Sequence, residues 1–70
     1  MVEVDARGLS CPIPVVRTLQ AITKNPGSEI TVLVNESVAE ENISRLAKAR
    51  RYLFNTEKVG DGLRLILKPA

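Results

Sequence analysis

Val2 and Val4 alternate with Glu3 and Asp5, the two-residue period of a half-buried strand, and Gly8 marks the turn that follows. A first strand ending near Ala6 is predicted. Beyond Pro12 and Pro14, the apolar stripe Val15, Leu19 and Ile22 has i, i+4, i+7 spacing and predicts a helix to about Lys24, stopped by Asn25-Pro26-Gly27. Ile30, Val32, Leu33 and Val34 then form a nearly continuous apolar run within Ser28 to Asn35. Such a run is expected of a central strand covered by helices in a parallel pairing.

Ser37-Val38-Ala39-Glu40 has the spacing of a capping box, with Ser37 as the predicted cap of a second helix. Ala39, Ile43, Leu46 and Ala47 give that helix its apolar face and carry it to about Arg50, while Glu41 and Arg45 can pair on the wet side. Tyr52 to Lys58 and Leu63 to Lys68 read as two strands. They are joined by Val59-Gly60-Asp61-Gly62, whose glycines are expected to supply the positive φ values of a tight hairpin.

The order β-α-β-α-β-β defines an α+β fold. Two parallel crossovers and a closing hairpin give a two-layer α/β sandwich, a mixed four-stranded sheet with both helices on one face. Seventy residues, with no repeat or linker, are read as one domain spanning 1–70. A chain of this size buries only about 60 % of its unfolded surface, so the core is expected to be thin.

Composition narrows the function. No run approaches the roughly 20 apolar residues of a membrane span, and Met1 to Asp5 lack the basic and apolar regions of a signal peptide; a cytoplasmic protein is expected, without membrane contact. A net charge of +2 with only Tyr52 and Phe54 as aromatics argues against direct nucleic-acid binding. The basic residues Arg45, Lys48, Arg50 and Arg51 fall near the end of the second helix, where they complement its dipole. A nucleic-acid or regulatory docking patch is the alternative reading of that cluster.

The chain has one cysteine, Cys11. A lone cysteine is ordinarily a small core hydrophobe, but this one falls between the turn at Gly8 and the first helix, where backbone amides and the helix dipole favour a thiolate. Pro12 suits the first helical position, with Cys11 as the extended cap before it. The prolines bring no donors, so the amides of Ile13 and Val15 are the ones left for an anion. Pro14 disfavours helical geometry at Ile13 and allows a slightly later start. Arg7 reads as a solvated loop charge that can also attract a thiolate.

The absence of histidine excludes a cysteine-histidine nucleophile pair, and the absence of a second cysteine excludes an internal disulfide or a cysteine-based metal site. No cofactor is expected. What remains is a thiolate that accepts a group from one protein and yields it to another.

At Asp5-Ala6-Arg7-Gly8-Leu9-Ser10-Cys11-Pro12-Ile13-Pro14 the sequence resembles the TusA/SirA family of small sulfur-transfer proteins, marked by a Cys-Pro-x-Pro motif after a short strand. Pro26-Gly27-Ser28-Glu29 resembles the family's turn into the second strand, and Asn35 to Leu46 looks more like the YedF-type branch. The resemblance implies that Cys11 carries sulfur as a persulfide, framed by Pro12 and Pro14. It also implies a cysteine desulfurase or rhodanese-like protein as donor and a further protein as acceptor. A selenium-handling or redox adaptor is the alternative that the YedF-type likeness leaves open.

Overall fold

In a computed structural model, which describes residues 2–9 and 12–70, the chain forms β1 (Val2–Asp5), α1 (Ile13–Lys24), β2 (Ile30–Val34), α2 (Ser37–Ala49), β3 (Tyr52–Val59) and β4 (Gly62–Pro69). The sheet order is β1-β2-β4-β3. β1 pairs with β2 in parallel, Val2 opposite Ile30, whereas β4 runs antiparallel to both β2 and β3. β2 and β3 are therefore parallel to each other. The two helices, each leaving the same end of the sheet after β1 or β2, begin at one pole of the molecule and end at the other.

Strand alternation sorts the side chains. Val2, Val4, Ile30, Val32, Val34, Leu63, Leu65, Leu67 and Phe54 share one face by register, and Ala21, Ile22, Ala39, Ile43 and Ala47 of the helices close over them. Ile30, Val32, Ile43, Leu65 and Leu67 are fully buried. This confirms the α+β sandwich with both helices on one face. The apolar run of β2 does not have helices on both sides, however. Leu33 is half-buried on the open face, where Thr31 is buried beside Ile66 of β4.

Three local expectations change. α1 starts at Ile13 with Pro12 as its cap residue, one position later than the predicted start, so Pro14 rather than Pro12 lies inside the first turn. α2 is capped by Glu36, in extended geometry at φ −120° and ψ 142°, so Ser37 is already helical and the capping box does not form. In the hairpin only Gly60 has positive φ, at 56°. Gly62 serves a different purpose: a Cβ there would lie 2.6 Å from the Val34 carbonyl oxygen, so only glycine lets β4 approach β2 at that point.

Candidate functional site: the turn between β1 and α1

Cys11 and Ser10 lie outside the described residues, so the site is defined by the structure on either side of them. On the β1 side the chain is tightly held. The Ala6 amide donates to the Leu33 carbonyl at 2.8 Å, extending the parallel ladder one residue beyond β1, and the buried Ala6 side chain closes the core. Gly8 then turns with φ +77°, and its amide donates to the Asn35 side-chain oxygen at 2.6 Å. Asn35 follows β2 directly and precedes the α2 cap, so the end of one crossover braces the turn of the other.

Arg7 is exposed, as expected of a solvated loop charge, and is in addition paired. Its guanidinium donates from Nε to Asp5 Oδ1 and from Nη2 to Asp5 Oδ2, both at 2.9 Å, and its amide adds a third bond to Oδ1. The side-chain hydrogen bond from Arg7 is the main reason the Asp5 carboxyl is held at about 2, below its ordinary 3.8, and the same bond raises the Arg7 pKa. Arg7 is thus committed to Asp5, and its charge is locally matched.

On the α1 side, Pro12 is exposed and Pro14 is buried. The first helical hydrogen bond runs from the Val16 amide to the Pro12 carbonyl at 3.1 Å. The Thr18 hydroxyl, inside the core, donates to the Pro14 carbonyl at 2.8 Å, which satisfies a polar group that burial would otherwise penalise. No acidic residue occupies this first turn, and no side chain caps it among the described residues. The amides of Ile13 and Val15 therefore meet no side-chain acceptor from the described residues, and the first turn carries no carboxylate of its own at the positive end of the helix dipole.

The predicted basic cluster lies elsewhere. Lys48, Arg50 and Arg51 stand at the end of α2, and Lys68 opposes Leu53 just beyond them; this is the pole opposite the α1 start. Arg45 is drawn back to Glu41 at 3.5 Å, on the wet face as expected. Asn35 is a site residue that the sequence pattern does not single out. Its position just after an apolar strand is a weak turn signal, and its partner lies 27 residues away.

The described residues on either side of Cys11 in sequence thus form a hydrogen-bonded turn and a helix start with Pro12 and Pro14 and no first-turn carboxylate, in a small α/β sandwich of the carrier-domain type. Comparison with known proteins agrees. Residues 2–68 match the family model described as Sulfurtransferase TusA, and the chain belongs to that family. It is 33 % identical over 70 residues to MJ0990 of Methanocaldococcus jannaschii, named as a candidate sulfur carrier protein, covering 97 % of this chain and 93 % of that one. A second candidate sulfur carrier, from Archaeoglobus fulgidus, is 38 % identical over 71 residues, with 97 % and 92 % covered. The crystal structure of a SirA-like protein from Desulfitobacterium hafniense superposes with a TM-score of 0.91 at 30 % identity, covering 97 % of this chain and 96 % of that one. Among the described residues no helix is long and apolar enough to cross a membrane.

Proposed function

We propose that this protein is a cytoplasmic sulfur carrier in which Cys11 accepts sulfur as a persulfide and passes it to a partner protein. The observation that carries the reading is the start of α1. The helix following Cys11 in sequence has neither an acidic residue in its first turn nor a side-chain cap. A thiolate or persulfide anion next to it would gain from amides and a dipole that no described side chain of this first turn neutralises.

In the loading step the Cys11 thiolate attacks the terminal sulfur of a protein persulfide. The donor's S–S bond breaks, a new S–S bond forms on Cys11, and the donor leaves as a thiolate; no external oxidant or reductant is consumed. Delivery repeats the exchange with Cys11 as the leaving thiolate. A chain with one cysteine and no histidine cannot generate sulfur from a stable precursor by the usual cysteine-histidine chemistry, so it depends on a donor such as a cysteine desulfurase or a rhodanese-like protein, and on an acceptor.

Incubation with a cysteine desulfurase and cysteine, or with sodium polysulfide, should add the mass of one sulfur atom to the intact chain. The addition should be reversed by dithiothreitol and absent from Cys11→Ser. An unchanged mass under both donors would overturn the assignment.

A further inference from the structure

The sheet order leaves β3 with a neighbouring strand on one side only. Edge strands are ordinarily blunted by shortness, charge, proline or a bulge, and β1, the opposite edge, has four residues that include Glu3 and Asp5. β3 lacks these protections over most of its length. Its eight residues pair with β4 without a break in register, none is proline, and its two charges, Glu57 and Lys58, stand near its end. The two-residue turn determines which backbone groups are free. Its closing pair, Val59 and Gly62, exchange backbone hydrogen bonds, so by alternation Glu57, Asn55 and Leu53 also bond to β4. The Arg51 carbonyl continues the series by accepting from the Ala70 amide at 3.2 Å. The amides and carbonyls of Tyr52, Phe54, Thr56 and Lys58 therefore face away from the sheet. The Thr56 amide donates to the Asn55 side-chain oxygen at 3.1 Å, and the other three amides meet no acceptor among the described residues.

The same edge borders a groove. Between the outer side of α2 and β3 lies an open cleft of about 340 Å³, lined by Ser37, Glu40, Glu41, Ser44 and Phe54. Tyr52, Phe54 and Thr56 point to the helix face yet stay half-buried, because no strand lies beyond them. Glu40 forms no ion pair with a described residue, and Glu41 is met by Arg45 at 3.5 Å; Lys58 is on the same face but outside the lining. On the open face of the sheet Leu53, 62 % exposed, shares a row with Asn55 and Glu57. A strand added to β3 would place alternate side chains in the acidic groove and beside Leu53. A second copy of this chain fits less well. Antiparallel pairing about the middle of β3 sets the two α2 helices across the groove from each other, with Glu40 and Glu41 towards their own counterparts.

We propose that the β3 edge and the α2 groove together bind, by strand addition, an extended segment of a partner protein in which lysine or arginine alternates with apolar residues. The backbone groups of Tyr52, Phe54, Thr56 and Lys58 supply the main-chain bonds, with the Asn55 side chain giving up the Thr56 amide. The basic side chains lay their apolar stems along Phe54 and set their charges against Glu40 and Glu41. The apolar row covers Leu53 on the other face. This binding uses no group of the turn before Cys11 and does not depend on the carrier reading.

The probe is an acetylated and amidated octapeptide of alternating valine and lysine, titrated into the isotope-labelled full chain and followed by NMR; a valine–glutamate octapeptide is the control. Saturating valine–lysine peptide should slow hydrogen exchange at the Tyr52, Phe54 and Lys58 amides by about fivefold or more, a change that the Leu53 and Glu57 amides, already bonded to β4, do not match. Glu40→Lys, verified as folded by a thermal melt, should weaken binding by about threefold or more. No effect of the valine–lysine peptide up to millimolar concentration overturns the proposal, as does binding that leaves the three edge amides unprotected. Equal affinity for the valine–glutamate peptide, or undiminished affinity in Glu40→Lys, overturns the role of the groove. A free protein that sediments as a dimer with the three amides already protected assigns the edge to a second copy instead.

Discussion

The two helices begin side by side at one pole, yet their first turns are built in opposite ways. α2 starts from an extended Glu36 and carries Glu40 in its first turn, so carboxylates sit where its dipole is positive. α1 starts from Pro12, has Pro14 in the second helical position, and offers no acidic side chain and no side-chain cap. The difference separates a helix end that carries its own carboxylates from one whose first turn carries none. A fold needing only two packed helices would be served equally well by two acidic starts. In this chain the acid-free start results from Ile13 between Pro12 and Pro14.

Asn35 links the two regions, and its removal should have the largest effect of three further substitutions. Asn35→Ala loses the acceptor for the Gly8 amide and should lower unfolding free energy by about 1 kcal/mol in a denaturant titration. Asn35→Asp, which keeps an acceptor oxygen, should recover most of it. A loss that Asp fails to restore would show that the hydrogen bond does not hold the turn. Next in size, Ile13→Glu makes the α1 start resemble that of α2. It should raise stability by about 0.3–1 kcal/mol through the helix dipole while slowing alkylation of Cys11 by iodoacetamide at neutral pH. Faster alkylation would break the comparison.

The smallest effect concerns the turn's ion pair. The Asp5 carboxyl is lowered from 3.8 to about 2, chiefly by its hydrogen bond from Arg7. Its contribution to stability is therefore complete above the ordinary carboxylate value and is lost as pH falls towards 2. A carbon-detected NMR titration should place its midpoint near 2 in the wild type and clearly higher in Arg7→Ala, short of a full return because the backbone amide of residue 7 still donates to the carboxylate. A midpoint unchanged by that substitution would refute the pairing.

Much of this architecture is legible in the sequence. The alternation of Val2 and Val4, the stripe Ala39, Ile43 and Ala47, and the Leu63, Leu65, Leu67 row each lie on the face their spacing predicts, because burial of one face dominates all three elements. Helix ends are less legible. Ser37 and Glu40 have capping-box spacing, but the extended residue is Glu36, which moves the boundary one position and puts the serine inside the helix. Asp5 and Arg7 are two apart on a loop, a spacing that carries no pairing rule, and only the turn itself brings them together. The Asn35 contact is beyond local reading altogether, since nothing in a window around either residue specifies the other. The prolines single out the cysteine, whereas its surroundings require the fold.

The Gly8–Asn35 hydrogen bond has a consequence for how the protein matures. It closes across 27 residues, and it needs the parallel pairing of β1 with β2, a non-local contact that follows a whole helical crossover. The β3–β4 hairpin, by contrast, joins neighbours through a two-residue turn. Although the cysteine motif is near the front of the chain, its brace is therefore among the later features to assemble. A nascent or partly unfolded molecule lacks this contact, so the turn that precedes the motif in sequence takes its final form only when the sheet is complete.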